Sequence, residues 1–254
     1  MWRYRNYVAV VASISFGGLR RSECSAKEPS RQGVAEEIAK IRTEEAFIRQ
    51  KWIKDEEGWH KLPARAWPPY QPGRSLIPDL RSAYSNCGAN AVLSDQCKKV
   101  TFDLGSALIF NGVDPPQGLQ QYMSLAEAGD PNGMVGAGVV LVGGLGVPRD
   151  ESKGVSWLQR AHEAGHPQGH YELAVCYYTG DGVEEDESRA FCLFQKAAAQ
   201  SHMGGQFMVG DCLMDGAGCE KDEARAIPWI YAAALQGHRQ ARGRILSLLD
   251  EYSK

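Results

Sequence analysis

From about residue 100 to the end of the chain, apolar and small side chains return every three or four positions in short runs, and the runs stop at glycines. The clearest example is "HPQGHYELAVCYYTGDGVEEDESRAFCLFQKAAAQS". From Gln168 to Thr179, Tyr171, Leu173, Ala174, Val175 and Tyr178 suit one face of a helix. Gly180-Asp181-Gly182 closes it, because glycine takes the positive φ of a helix C-terminus without steric cost. Asp186 and Glu187 follow, placed to meet the unpaired N–H groups and positive dipole end of a second helix. That helix runs to about Ala199 through Ala190, Phe191, Leu193, Phe194 and Ala197-Ala198-Ala199. The predicted unit is a helical hairpin.

The unit recurs. Gly129-Asp130-Pro131, Gly165-His166-Pro167, Ser201-His202-Met203 and Gly237-His238-Arg239 are each 36 residues apart. The same offset relates Gly146, Gly182 and Gly218; Asp150, Asp186 and Asp222; Gly154, Ala190 and Ala226; and Ala161, Ala197 and Ala233. A hairpin has one face that it cannot cover alone, and stacking copies covers it. The glycine-studded run "VGAGVVLVGGLGV", residues 135–147, superficially resembles a phosphate loop. In register, however, Val135 to Val142 aligns with Tyr171 to Tyr178 and Phe207 to Met214, so these residues form a first helix and Gly143 to Gly146 its turn. A dinucleotide fold needs a strand before such glycines and a helix immediately after them.

These copies resemble the Sel-one-like repeat family, a relative of the tetratricopeptide repeat. One copy matches the family pattern at Leu173-Ala174, Tyr177, Gly180-Asp181-Gly182-Val183, Asp186, Ala190 and Lys196-Ala197-Ala198. The next matches at Gly210, Leu213, Gly216-Ala217-Gly218, Asp222, Ala226, Trp229 and Ala232-Ala233-Ala234, with Cys219 in place of the valine. The preceding copy keeps Gly138, Gly144-Leu145-Gly146-Val147, Asp150, Trp157 and Ala161. An earlier, shortened copy keeps Leu104-Gly105, Gly112-Val113, Asp114 and Ala126 to Gly129. Residues 239–253 read as a capping first helix. The resemblance implies an all-α chain, an α-solenoid of stacked hairpins over 96–254 with an irregular N-terminal extension.

That extension divides in two. Residues 1–23 carry Arg3, Arg5, Arg20 and Arg21 around an apolar stretch from Tyr7 to Leu19, with no acidic residue before Glu23. This is the character of a targeting segment. An arginine-rich, acid-poor leader suits a mitochondrial presequence; secretion, a short retained membrane anchor and an ordinary N-terminus are the alternatives. Within 24–95, residues 34–60 read as one charged helix whose apolar positions include Val34, Ile38, Ile41, Ile48, Trp52 and Ile53. Its stripe lies either on its own domain or across a partner. Pro63 to Pro72 then form an extended strap that carries Trp67 and Tyr70.

Charge and candidate chemistry narrow the function. A net charge of −3 over 254 residues argues against nucleic acid as a general partner. His162, His166 and His170 have metal-like spacing, but Gly165-His166-Pro167 is an inter-repeat turn, so they do not share a helix. Seven cysteines leave at least one unpaired. Cys87 and Cys97 are separated by nine residues, as in the twin-cysteine hairpins of the mitochondrial intermembrane space, though those proteins carry two such motifs. Cys176 and Cys192 lie on the two helices of one repeat and could meet. The cysteine that oxidised family members place at the end of each second helix is alanine here, at 198 and 234, and mostly reduced thiols are expected.

The resemblance implies a protein–protein scaffold that runs no chemical step and needs no cofactor or small-molecule substrate. Candidate contacts are Tyr171, Tyr177, Tyr178, Phe207, Met208 and Met214 on first helices, with Trp67 and Tyr70 on the strap. With the leader, this points to an accessory subunit or assembly factor of a mitochondrial membrane complex of the respiratory kind, in the inner membrane or intermembrane space. Its partners would be other subunits, with possible membrane contact through the N-terminus. A transient adaptor of the secretory pathway or cytoplasm is the alternative, and a groove-based hydrolase is a third.

Overall fold

The structure, a computed structural model, describes residues 31–42, 73–87 and 94–252. Among these residues no strand occurs. The chain order is α1 (Arg31–Arg42), a 3-10 turn (Arg74–Leu76), α2 (Ile77–Cys87), α3 (Asp95–Phe110), α4 (Pro115–Glu127), α5 (Pro131–Gly143) and α6 (Glu151–Glu163), then α7 (Pro167–Thr179), α8 (Glu187–Ala199), α9 (Met203–Asp215), α10 (Glu223–Leu235) and α11 (Arg239–Glu251). The fold class is that of an α-solenoid built of helical hairpins. The contacts gather into two compact units, one spanning Arg65–Asp186 and the other combining the N-terminal segment with Glu187–Lys254.

Local rules explain why each hairpin forms where it does. Asp114, Asp150 and Asp222 cap α4, α6 and α10, each carboxylate accepting from the amide three residues on, at 3.1, 3.1 and 3.0 Å. The first helices end on Gly144, Gly180 and Gly216, at φ of 61, 75 and 82°. The chain then folds back, and the amides of Asp150, Asp186 and Asp222 donate to the carbonyls of Leu141, Tyr177 and Leu213. Gly146, Gly182 and Gly218 also have positive φ, and they have a second constraint. A Cβ on them would lie 2.5 Å from Pro115, 2.8 Å from Glu151 and 2.1 Å from Glu187 respectively. Each turn therefore rests on the first residue of the preceding second helix, and in the last copy the Gly218 amide donates to Glu187 Oε2 at 3.1 Å.

The unit from Arg65 to Asp186 packs α2 through α7 on their chain neighbours. Tyr122 on α4 is fully buried. Its ring lies between two glycines: a Cβ on Gly105 of α3 would meet it at 3.0 Å, and one on Gly136 of α5 at 2.8 Å. Its hydroxyl pairs with Ser106 Oγ at 2.7 Å, so the buried polar atom has a partner. Gly136, in the run that resembles a phosphate loop, makes room for an aromatic ring. Ile77, Leu104, Ala107 and Leu108 join α2 to α3, and a Cys87–Cys97 disulfide ties the end of α2 to the first turn of α3. This pair departs from the expectation of mostly reduced thiols. Packing of the two helices brings the Cα atoms to 5.9 Å, inside the disulfide range. Cys176, Cys192, Cys212 and Cys219 take part in no disulfide, so Cys176 and Cys192 are not joined.

In the other unit α8 to α11 pack in sequence, and α1 lies against α10 and α11. Val34, Ile38 and Ile41 of α1 are buried, at 3, 2 and 3% exposure. Each such side chain contributes about 1.5–3 kcal/mol of burial before ordering costs. The Arg42 guanidinium donates to the carbonyls of Leu249 and Tyr252, capping the end of α11. Of the two readings of this charged helix, its described part follows the first: the stripe covers its own fold. The rest of that predicted helix, residues 43–60, lies outside the described residues, as do the leader, Cys24, Trp67 and Tyr70.

Candidate protein-binding face

The first helices α5, α9 and α11 start on a residue whose side chain accepts from their opening amides. Asp130 does this for α5, accepting from the amides of Asn132 and Gly133. His202 and His238 do it for α9 and α11 through imidazole Nδ1, accepting from Gly205 at 3.0 Å and Ala241 at 3.3 Å. An accepting Nδ1 must be unprotonated, and burial pulls His238 down to about 4. His166, at the same position before α7, makes no cap, and its buried Nδ1 has no hydrogen-bond partner. Burial lowers its pKa as well, against the opposing pull of Asp130.

The first helices then settle onto the preceding second helices through Gly133, Gly169 and Gly205. A Cβ at these positions would meet Leu125 at 2.4 Å, Ala161 at 2.8 Å and Ala197 at 2.8 Å, with backbone atoms close behind. Sequence reasoning missed this column, although the three glycines stand 36 residues apart. The close seating fixes which side of each first helix faces outward.

On α7 the outward positions are Gln168, Tyr171, Val175 and Tyr178, each half-buried and spaced so as to form one stripe. Tyr177, also half-buried, flanks it. On α9, within its own unit, the positions left open are Phe207 and Met208, half-buried, followed by half-buried Asp211 and exposed Asp215. Phe207 stacks on His238 with ring centroids 4.3 Å apart. Asp211 is held above the usual carboxylate range, first by burial and then by Asp215, with Arg244 opposing. Met214 is corrected: at 8% exposure it belongs to the core, although its counterpart in the preceding repeat, Tyr178, is half-buried.

Upstream, Asp95, Lys98, Lys99, Phe102 and Asp103 of α3 line a cleft of about 380 Å³ with Asp130 and Asn132. Burial raises Asp103, partly offset by Lys99. A second, shallow cleft of about 620 Å³ lies over the turn before α6, lined by Leu119, Leu141 and Val147 to Lys153. Arg149 there is committed, donating to Val142 O and Asp181 and pairing with Glu151. The histidine trio divides as the register requires: His162 is on α6, His170 on α7, and His166 between them. His162 and His170 nonetheless meet, Nδ1 to Nδ1 at 2.7 Å, as a donor–acceptor pair joining the two helices. Among the described residues no three histidine, cysteine or acidic side chains gather as a metal site.

Comparison with known proteins agrees with this geometry. The Sel1 repeat model matches residues 131–166, 167–202 and 204–238. A Sel1 repeat protein from Oxalobacter formigenes superposes with a TM-score of 0.57 at 21% identity, covering 66% of this chain and 70% of that one. A protective antigen of uropathogenic Escherichia coli with an SLR fold gives 0.54 at 28% identity; the match covers 65% of this chain and only 34% of the antigen. No curated protein matches.

Proposed function

Because the chain carries three Sel1 repeats, and such proteins are in general non-enzymatic protein–protein scaffolds, we propose that it holds a protein partner on the outward stripe of a first helix and performs no chemistry itself. The observation that carries this reading is the α7 stripe. Tyr171, Val175 and Tyr178 keep apolar surface half-exposed on a helix whose other face is fully used in packing. Aromatic side chains of this kind anchor interfaces, since each adds large area at little entropic cost. On α9, Phe207 and Met208 followed by Asp211 and Asp215 favour a partner segment with apolar and basic residues.

The assembly we propose is a mitochondrial membrane complex of the respiratory kind, with this chain as an accessory subunit or assembly factor. Two features support it. The first 22 residues are basic and contain no acid, and the Cys87–Cys97 pair has the spacing of the intermembrane-space hairpins and is oxidised. No described helix is long and apolar enough to cross a membrane, so any membrane contact would come from outside the described residues. The rival is a secretory-pathway adaptor, for which the disulfide is equally suitable.

The experiment is to fractionate detergent-solubilised mitochondria on a native gel and locate the endogenous chain by mass spectrometry. Co-migration with a large complex at fixed stoichiometry is expected. Recovery only as a free species, or from secretory membranes, would overturn the assignment to that complex.

A further inference from the structure

The turn of the last full repeat differs from its equivalents in one respect. The position after the Gly-x-Gly turn is Val147 in the first matched repeat and Val183 in the second, but Cys219 in the third. The position seven residues earlier, on the first helix, is Val140, Cys176 and Cys212 in the same order. Only in the third repeat do both positions carry sulfur. The fold-back that brings the two together is common to the repeats: the Asp222 amide closes on Leu213 as Asp150 does on Leu141. As a result the Cys219 thiol donates to the carbonyl oxygen of Cys212 at 3.5 Å. Cys212 is buried at 2% exposure, whereas Cys219 is only half-buried. Cys219 is therefore the thiol open to solvent, and its sulfur lies against the backbone of Cys212.

We propose that Cys212 and Cys219 form a dithiol modification site, which a small disulfide of the glutathione class oxidises to a disulfide within the repeat. The Cys219 thiolate attacks the reagent, forms a mixed disulfide and expels one glutathione thiolate. The Cys212 thiolate then attacks the Cys219 sulfur, forms the 212–219 bond and expels the second glutathione. Two protein thiols are oxidised, one glutathione disulfide is reduced, and the two thiol protons leave on the two glutathiones. Burial holds Cys219 up to about 11 and Cys212 up to about 12, so thiolate is scarce at neutral pH and the reaction accelerates in mild alkali. Cys192 is the internal contrast: it is free and exposed on α8, and its oxidation by the same reagent stops at the mixed disulfide.

The test uses the full chain, oxidised glutathione at mildly alkaline pH, an acid quench, alkylation of remaining thiols under denaturing conditions, and tryptic mapping. Cleavage after Lys196 and Lys221 places both cysteines in one peptide. The expected product is that peptide, unalkylated and lighter by two hydrogens, while Cys192 carries glutathione. In Cys219→Val, which restores the residue the other repeats use, the same peptide should carry one alkyl group at Cys212 and no glutathione. The proposal is overturned if Cys219 remains glutathionylated, or if both thiols are alkylated once Cys192 is fully modified.

Discussion

Replacing Gly133 by alanine and replacing Gly243 by alanine are the same chemical change in a helix, yet the structure gives them opposite signs. In each case the alanine gains roughly 1 kcal/mol of helix propensity over glycine. At Gly243, in α11, a new Cβ meets nothing within 4 Å, so the gain stands alone. At Gly133, in α5, it would lie 2.4 Å from Leu125 Cβ, 2.7 Å from the Ala126 nitrogen and 2.9 Å from the Leu125 carbonyl carbon. Two of these are backbone atoms of α4, and Leu125 and Ala126 are both fully buried. Relief requires α5 to lift off α4, which opens the packing around Val135 and Tyr122. Overpacking of this kind costs about 1–3 kcal/mol, and the rigid neighbours place this case at the upper end. The net loss is about 2 kcal/mol, or about 4–8 °C in Tm, against a gain of about 2–4 °C for Gly243→Ala. Circular dichroism melts of the two variants beside the parent decide it. Equal stabilisation by both would refute the assignment of Gly133 to a backbone contact.

Stability should also fall with acid in a way traceable to His238, whose folded pKa of about 4 lies below its ordinary 6.5. The neutral ring's contribution is complete above 6.5 and is lost as pH falls through about 4. It amounts to about 3 kcal/mol at most, and urea midpoints across this window should flatten in His238→Asn, which keeps a neutral cap. Ser201 is held at φ 61° where the other repeats place Gly129, Gly165 and Gly237. Ser201→Gly should therefore raise the urea midpoint by an amount equivalent to about 1 kcal/mol, and an unchanged midpoint would show that the turn is unstrained. Ile38→Asp puts a carboxylate into the contact of α1 with α10 and α11, and should release α1. Limited proteolysis should then cut within residues 31–42 while the remaining repeats stay intact; resistance equal to the parent's would contradict that docking.

The repeat was legible because its signals are local. A glycine at positive φ, or an aspartate over free amides, is required by backbone geometry within a few residues, so Gly146, Gly182 and Gly218 and the aspartate column could be read at a fixed interval. The recurrence of His202 and His238 was equally visible, but their service as Nδ1 acceptors was not, because composition does not record which nitrogen carries the proton. Gly133, Gly169 and Gly205 were in the sequence at the same interval, and their purpose depends on how closely two helices approach. Tyr178 and Met214 hold the same position in successive repeats, yet Tyr178 is half-buried and Met214 buried, because exposure there depends on the neighbouring side chains and not on helical phase. The α1 stripe announced an amphipathic helix without naming the surface it covers, since Val34, Ile38 and Ile41 would suit any apolar groove. Cys87 and Cys97 had the spacing for a bond; only the packing of α2 on α3 shows that they make it.

The docking of α1 has a consequence for biosynthesis. Arg42 and its acceptor Leu249 are 207 residues apart in the chain. At ordinary elongation rates of about 5–20 residues per second, α1 leaves the ribosome about 10–40 s before α11 does. During that interval its three apolar side chains have no native surface to cover, while α3 to α7 can already assemble from neighbours synthesised moments earlier. The first of the described helices to be translated is thus among the last to be seated, and that interval is when a chaperone has its opportunity to bind it.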